Sequence, residues 1–262
     1  MARKFAIITG ASTGIGLELA RIAAQDGYGL LIAADRSLAD ASAELRNLGV
    51  AVETVDVDLS TIEGVDKLLA AAGDRPVDLL CANAGHGLGR DFLGQEVSAW
   101  RHVIDTNITG TVYLLQRVLR DMVARNAGKV LVTGSIAGFI PGSFNAVYNG
   151  TKAFVDNFTD ALRNEIKAAE GVTLTTLMPG PTETEFFKRA DMMDTSVGTD
   201  QHKEDPAQTA RHGWDALMAG KASVVSGLKN KIQQAVANVV PAGVLAEQHR
   251  QMAEPGTAHA QD

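Results

Sequence analysis

Seven short apolar runs recur along the chain with longer amphipathic stretches between them, and this alternation limits the possible folds more than any other feature. The runs cover residues 5–9 (FAIIT), 30–34 (LLIAA), 51–57 (AVETVDV), 78–82 (DLLCA), 129–133 (KVLVT), 173–178 (TLTTLM) and 223–226 (SVVS). Helical patterns of ten or more residues begin near Gly14, Leu38, Ile62, Val97, Asn145 and Pro206. Strands that alternate with helices pair in parallel, and their crossovers are right-handed almost without exception. Successive units therefore wind to one side of the first strand and then to the other. The expected architecture is α/β: a doubly wound parallel sheet of about seven strands, helices on both faces, in three layers. Ligands bind such sheets at the carboxyl ends of the strands, beside the switch point. No Pro/Gly/Ser-rich linker and no repeat interrupts the pattern, so one domain over 1–262 is expected.

Composition narrows the function classes. With 45% hydrophobic and 21% charged residues the chain is ordinary globular material. No apolar run approaches the roughly 18 residues of a membrane span, and the start, Met1-Ala2-Arg3-Lys4-Phe5, has no apolar signal core. A soluble, cytoplasmic protein is expected. Cys81 is the single cysteine, which excludes an internal disulfide and a thiolate metal cluster. His86 and His102 have no partner at ligand spacing and read as structural, so no metal site is expected. The net charge is −7 and the basic residues are scattered, which argues against nucleic acid and for a small-molecule partner.

The first apolar run leads straight into Thr9-Gly10-Ala11-Ser12-Thr13-Gly14-Ile15-Gly16 and then a helical pattern. A tight turn that brings backbone against a ligand needs glycine, and a helix N-terminus offers free N–H groups to a phosphate. Between strand and helix, this turn is a pyrophosphate cradle. Further along, Tyr148 and Lys152 lie four apart in a helical pattern and share a face. A cation next to a phenol lowers the phenol pKa, so Lys152 is expected to bring Tyr148 toward neutrality as an acid/base.

The spacing Gly-x-x-x-Gly-x-Gly, together with Asn83-Ala84-Gly85, Asn107, Ser135, Tyr148-x-x-x-Lys152, and Pro179-Gly180 with Thr184, resembles the short-chain dehydrogenase/reductase family over about residues 4–226. Ala82 stands where the family has the first Asn of Asn-Asn-Ala-Gly. The resemblance implies a Rossmann fold and an NAD(P)-dependent interconversion of a secondary alcohol with a ketone or aldehyde. It assigns Tyr148 as acid/base, Ser135 as hydrogen-bond partner of the reacting oxygen, and Lys152 to the nicotinamide ribose. Asn107 is expected to kink its helix and hold a relay water. Cofactor contacts are expected from Gly10, Ser12, Thr13, Gly14, Ile15 and Gly16, and from Asp58 and Leu59 after strand three. Asn83, Ala84 and Gly85, then Pro179, Gly180, Thr182 and Thr184, complete that set, together with Tyr148 and Lys152.

Strand two ends Ala33-Ala34-Asp35-Arg36. Ala34 occupies the place where NAD-preferring relatives commonly carry Asp, and Asp35 the place where NADP-preferring relatives commonly carry Arg. Asp35 would repel a 2′-phosphate, Thr13 adds no positive charge, and Arg36 pulls the other way, so charge favours NAD(H) over NADP(H). In the family, pocket walls come from the stretches after strands five and six and from the C-terminal part. Here these carry Ile136, Phe139, Ile140, Phe144, Phe186, Phe187, Met192 and Met193, which implies an apolar substrate. Segment 183–205 lacks periodicity and is expected to be a flexible substrate loop. Residues 228–240 read as a helix, packed or interfacial, and 252–262 as a tail. In many members of the family, helices over 97–125 and 145–170 form the subunit interface, so the resemblance implies a homodimer or homotetramer. Two other readings of the same scaffold stay open: a dinucleotide sensor without turnover, and an epimerase or dehydratase.

Overall fold

In a computed structural model of the chain, which describes residues 4–237 and 239–258, the first apolar run forms β1 (Phe5–Thr9) with every residue buried. The other runs form β2 (Gly29–Ala34), β3 (Val52–Asp56), β4 (Leu79–Ala82), β5 (Gly128–Thr133), β6 (Val172–Met178) and β7 (Ser223–Val225). Their order across one sheet is β3-β2-β1-β4-β5-β6-β7, and every pairing is parallel. The chain thus winds outward from β1 in one direction and then, from β4, in the other, as right-handed crossovers require.

Helices α1 (Gly14–Gln25), α2 (Ala39–Arg46) and α3 (Ile62–Ala72) connect the first four strands. After β4 come α4 (Val97–Ile104) and α5 (Thr111–Ala124), and α6 (Ala146–Glu165) joins β5 to β6. Between β6 and β7 lie α7 (Phe186–Arg189), α8 (Ser196–Thr199) and α9 (Pro206–Met218); α10 (Leu228–Ala237) and α11 (Ala242–Ala253) follow. Local chemistry sets several of these starts. Thr61 Oγ1 accepts from Gly64 N at the head of α3, and Asp205 accepts from Ala207 N, with Pro206 opening α9.

Adjacent residues of each central strand point to opposite faces, so the sheet carries two cores. Ile8, Leu30 and Ile32 pack with Leu19 of α1 and with Trp214 and Leu217 of α9. Ile7, Leu31 and Leu80 pack with Val65 and Leu68 of α3 and with Leu115 and Val118 of α5. Burial on both faces explains why these strands read as continuous apolar runs.

Three expectations change. The helix expected over 97–125 is broken by a π-helical segment, Asp105–Gly110, where Gly110 lies so close to Leu59 that a Cβ would meet its carbonyl oxygen at 1.9 Å. The helix expected to reach 170 stops at Glu165. Segment 183–205 is not irregular throughout: it holds α7 and α8, and buried Phe187, Ala190 and Met192 pack it down. Beyond β7 the helix expected over 228–240 is α10, with Asn238 outside the described residues; α11 was not foreseen, and of the tail expected over 252–262, residues 259–262 also lie outside them.

Candidate active site

The carboxyl ends of β1, β4, β5 and β6 meet at a cavity of about 440 Å³. Asn83 locks these strand ends together. Its Nδ2 donates to Thr9 O at 3.2 Å, its Oδ1 accepts from Thr133 Oγ1 at 3.0 Å, and its backbone N donates to Thr9 Oγ1 at 3.0 Å. Ala84 N shares that hydroxyl, also at 3.0 Å. Asn83 lines the cavity with Ala84 and Gly85, its side chain bound to the neighbouring strands.

The glycine turn has the backbone its sequence implies. Gly10 and Gly14 have φ of +65° and +58°, a region that favours glycine. Gly16 faces inward instead: a Cβ there would lie 2.2 Å from Gly10 O and 2.5 Å from Asn83 Nδ2. Ser12, Thr13, Gly14 and Ile15 line the cavity, whereas Gly16 lets α1 approach β1 and β4. Thr13, at the N-cap of α1, makes no capping hydrogen bond with its side chain, which leaves the helix N-terminus to an anion. Glycines that a Cβ would obstruct, opening onto an uncapped helix end, fit a dinucleotide pyrophosphate.

Asp58 and Leu59 line the cavity, and Asp58 Oδ1 accepts from Ser60 N at 2.9 Å. Pro179, Gly180, Thr182 and Thr184 line the same cavity, with Thr184 against Gly14. Asp35 lines the wall but pairs with Arg189 of α7, and Arg36 pairs with Glu185 just before α7.

Ser135, Tyr148 and Lys152 converge on this cavity. Ser135 ends the turn after β5, where its Oγ accepts from Ala137 N at 3.1 Å and donates to Pro179 O at 3.4 Å. Lys152 is buried and donates from Nζ to Thr133 O at 2.8 Å, 5.8 Å from the centre of the Tyr148 ring. Burial pushes the Tyr148 phenol up to about 12; a hydrogen bond with Ser135 opposes the rise and the Asp156 charge adds to it. The lowering expected from Lys152 is not found in this arrangement: desolvation dominates, and the opposing influence is the Ser135 hydrogen bond. Burial also pushes the Lys152 ammonium down, against the pull of Asp156.

Asn107 sits in the π segment, 1% exposed and outside the cavity wall. Its Oδ1 accepts from His86 N at 2.8 Å, and its Nδ2 donates to His86 O and to Thr151 Oγ1, each at 2.9 Å. It ties the loop after β4 to α6 at Thr151, the residue before Lys152. Asp156, one turn beyond Lys152, escaped the sequence reading. Its carboxyl is 6% exposed, and neither oxygen has a close hydrogen-bond partner. Burial drives its pKa up, against the pull of Lys152. Gly134 makes room for it, since a Cβ there would lie 1.8 Å from Asp156 Oδ1. A carboxylate four residues after the lysine, on the same helix face, was the available signal.

The apolar wall comes from Ile136, Ile140, Phe186, Phe187 and Met192, with Phe186 packed 5.0 Å from the Tyr148 ring. Phe139 packs instead with Met178 and Val225, Phe144 joins the cluster beneath α7, and Met193 is half exposed. His86 and His102, read as structural, both line the cavity, their rings edge to face at 5.1 Å. His249 and Met252 of α11 complete the wall; their helical spacing with Leu245 was the missed signal. Cys81 is a buried core residue of β4, its thiol pKa raised by burial. Among the described residues no His/Cys/Asp/Glu group could hold a metal, and no helix is long and apolar enough to cross a membrane.

Residues 4–194 match the family described as short chain dehydrogenase. An uncharacterized oxidoreductase of Myxococcus xanthus is 36% identical over 193 residues, 71% of this chain and 75% of that one. A probable NADP-dependent dehydrogenase of Haemophilus influenzae is 36% identical over 180 residues, 67% of this chain and 70% of that one. Among solved structures, a short-chain dehydrogenase from Sphingobium yanoikuyae in complex with NADPH superimposes with a TM-score of 0.79 at 25% identity, covering 91% of this chain and 96% of the other. The chain belongs to the short-chain dehydrogenase/reductase family of NAD(P)-dependent oxidoreductases.

Proposed function

We propose that the protein interconverts a secondary alcohol with its ketone or aldehyde on a small, largely apolar substrate, with Tyr148 as the acid/base. The observation that carries this reading is the convergence of Ser135, Tyr148 and Lys152 on one cavity that also contains the glycine turn. Glycines 10 and 14 and the N-terminus of α1 would hold the pyrophosphate, and Asp35 would face the adenosine ribose. When bound, the nicotinamide supplies or accepts the hydride.

The chain's own groups handle the proton. In reduction, Tyr148 Oη gives its proton to the substrate oxygen; in oxidation it takes that proton back. Ser135 Oγ hydrogen-bonds the same oxygen and favours the charge that develops on it. Lys152 Nζ steadies the tyrosinate when the proton has left, which offsets the cost of ionising a buried phenol. Asn107 holds the backbone beside this group rather than touching the substrate. Ile140, Phe186 and Met192 favour an aliphatic, aromatic or alicyclic substrate over a sugar.

Charge at Asp35 supports NAD(H) over NADP(H), and segment 183–205 acts as the substrate loop. Phe154 and Leu93 are 42% and 93% exposed, and the Phe154 and Phe158 rings stack at 5.7 Å; these apolar faces on and beside α4 and α6 support a homodimer or homotetramer. Tyr148→Phe tests the mechanism. Turnover is expected to fall by about 10²–10⁴-fold while cofactor affinity holds; turnover equal to wild type would remove Tyr148 from the chemistry.

A further inference from the structure

Two ion pairs join the end of β2 to α7 beside the cavity. Arg189 Nη2 pairs with Asp35, and Arg36 Nη1 pairs with Glu185. Asp35 and Arg36 close β2, whereas Glu185 and Arg189 flank and end α7, about 150 residues further on. The same segment lies against the glycine turn, where a Cβ on Gly14 would meet Thr184 Cγ2 at 2.8 Å. Asp35, Glu185 and Arg189 all belong to the cavity wall. Lys188 and His86 stand near this group and also feel its charges.

The residues after β2 therefore do not meet a ligand as an isolated carboxylate and an isolated guanidinium. They are half of a four-charge cluster whose formal charges cancel, and α7 supplies the other half. A ribose with a free 2′-hydroxyl needs only an acceptor, which Asp35 retains beside Arg189. A 2′-phosphate brings a charge of about −1.5 to −2, so its reception depends on how far Asp35 is neutralised and whether Arg36 is free.

We propose that Glu185 and Arg189 determine cofactor choice: Arg189 softens the repulsion between Asp35 and a 2′-phosphate, and Glu185 withholds Arg36 from it. The inference rests on the dinucleotide reading above and adds specificity residues outside the β2 turn. It makes opposite predictions for the two partners. Arg189→Ala exposes Asp35 and disfavours NADPH; Glu185→Gln releases Arg36 and favours it.

The test is a fluorescence titration of wild type, Arg189→Ala, Arg189→Lys and Glu185→Gln with NADH and NADPH at low and high salt. The pairs are partly exposed, so the ratio Kd(NADPH)/Kd(NADH) is expected to rise about two- to five-fold in Arg189→Ala and to fall by a similar factor in Glu185→Gln. Arg189→Lys retains the charge and stays near wild type, and salt shrinks both shifts. If the ratio does not move, or moves the same way in both variants as general loosening of α7 would cause, the assignment fails while the dinucleotide reading stands. If the wild type binds neither cofactor, that reading fails and this inference with it.

Discussion

The two ends of the cavity are built on different principles. At the Tyr148 end the polar groups are held by bonds to backbone: Lys152 to Thr133 O at the end of β5, Ser135 to Ala137 N in the turn that follows, Asn107 to both backbone groups of His86 in the loop after β4. At the Asp35 end the groups are charged, 32% to 47% exposed, and joined to a helix far along the chain. Buried hydrogen bonds fix a geometry at large cost if broken, while exposed ion pairs contribute about 1 kcal/mol or less and yield to salt. The first end suits proton transfer, which depends on placement. The second suits selection between ligands that differ in charge.

Substitutions can break this contrast. The largest loss is expected from Lys152→Ala, which removes the cation beside Tyr148 and the bond to Thr133 O; turnover should drop by at least about 10²-fold and cofactor affinity should also weaken. Steady-state kinetics with a nicotinamide titration would show both, and an unchanged affinity would separate Lys152 from the cofactor. Next comes Gly16→Ala. Its Cβ would press on Gly10 O, so about 1–3 kcal/mol of stability should be lost in a denaturant melt. Replacing Asp35 by Ser should move the cofactor ratio toward NADP(H) by a few-fold at most, because Arg189 already offsets its charge.

The smallest effect concerns pH. Burial holds the His86 and His249 pKa values below the ordinary 6.5. As pH falls below that value the unfolded chain takes up protons that the folded imidazoles refuse, so stability present above 6.5 is lost through the window down to the lowered folded values. Thermal melts from pH 8 to pH 5 should show this slope, and His249→Gln should flatten it.

Much of the fold was legible in the sequence because central parallel strands, buried on both faces, write themselves as unbroken apolar runs; residues 5–9 became β1 without change. The candidate site was legible where one residue type serves one need, as at Gly10, Gly14, Tyr148 and Lys152. Arg189 and Glu185 were not legible, since nothing local signals a partner so distant in sequence. Asp156 was missed for another reason: its meaning comes from burial under Gly134 and beside Lys152, which a helical pattern does not reveal. Asn107 stood out by position, yet its hydrogen bonds make it a positioning residue and not part of the wall.

The most direct measurement is a titration of the wild-type protein with NADH, followed by addition of small apolar ketones while nicotinamide absorbance is recorded. The account predicts saturable binding and then a fall in absorbance that depends on the ketone. Absence of binding by both NADH and NADPH would contradict it.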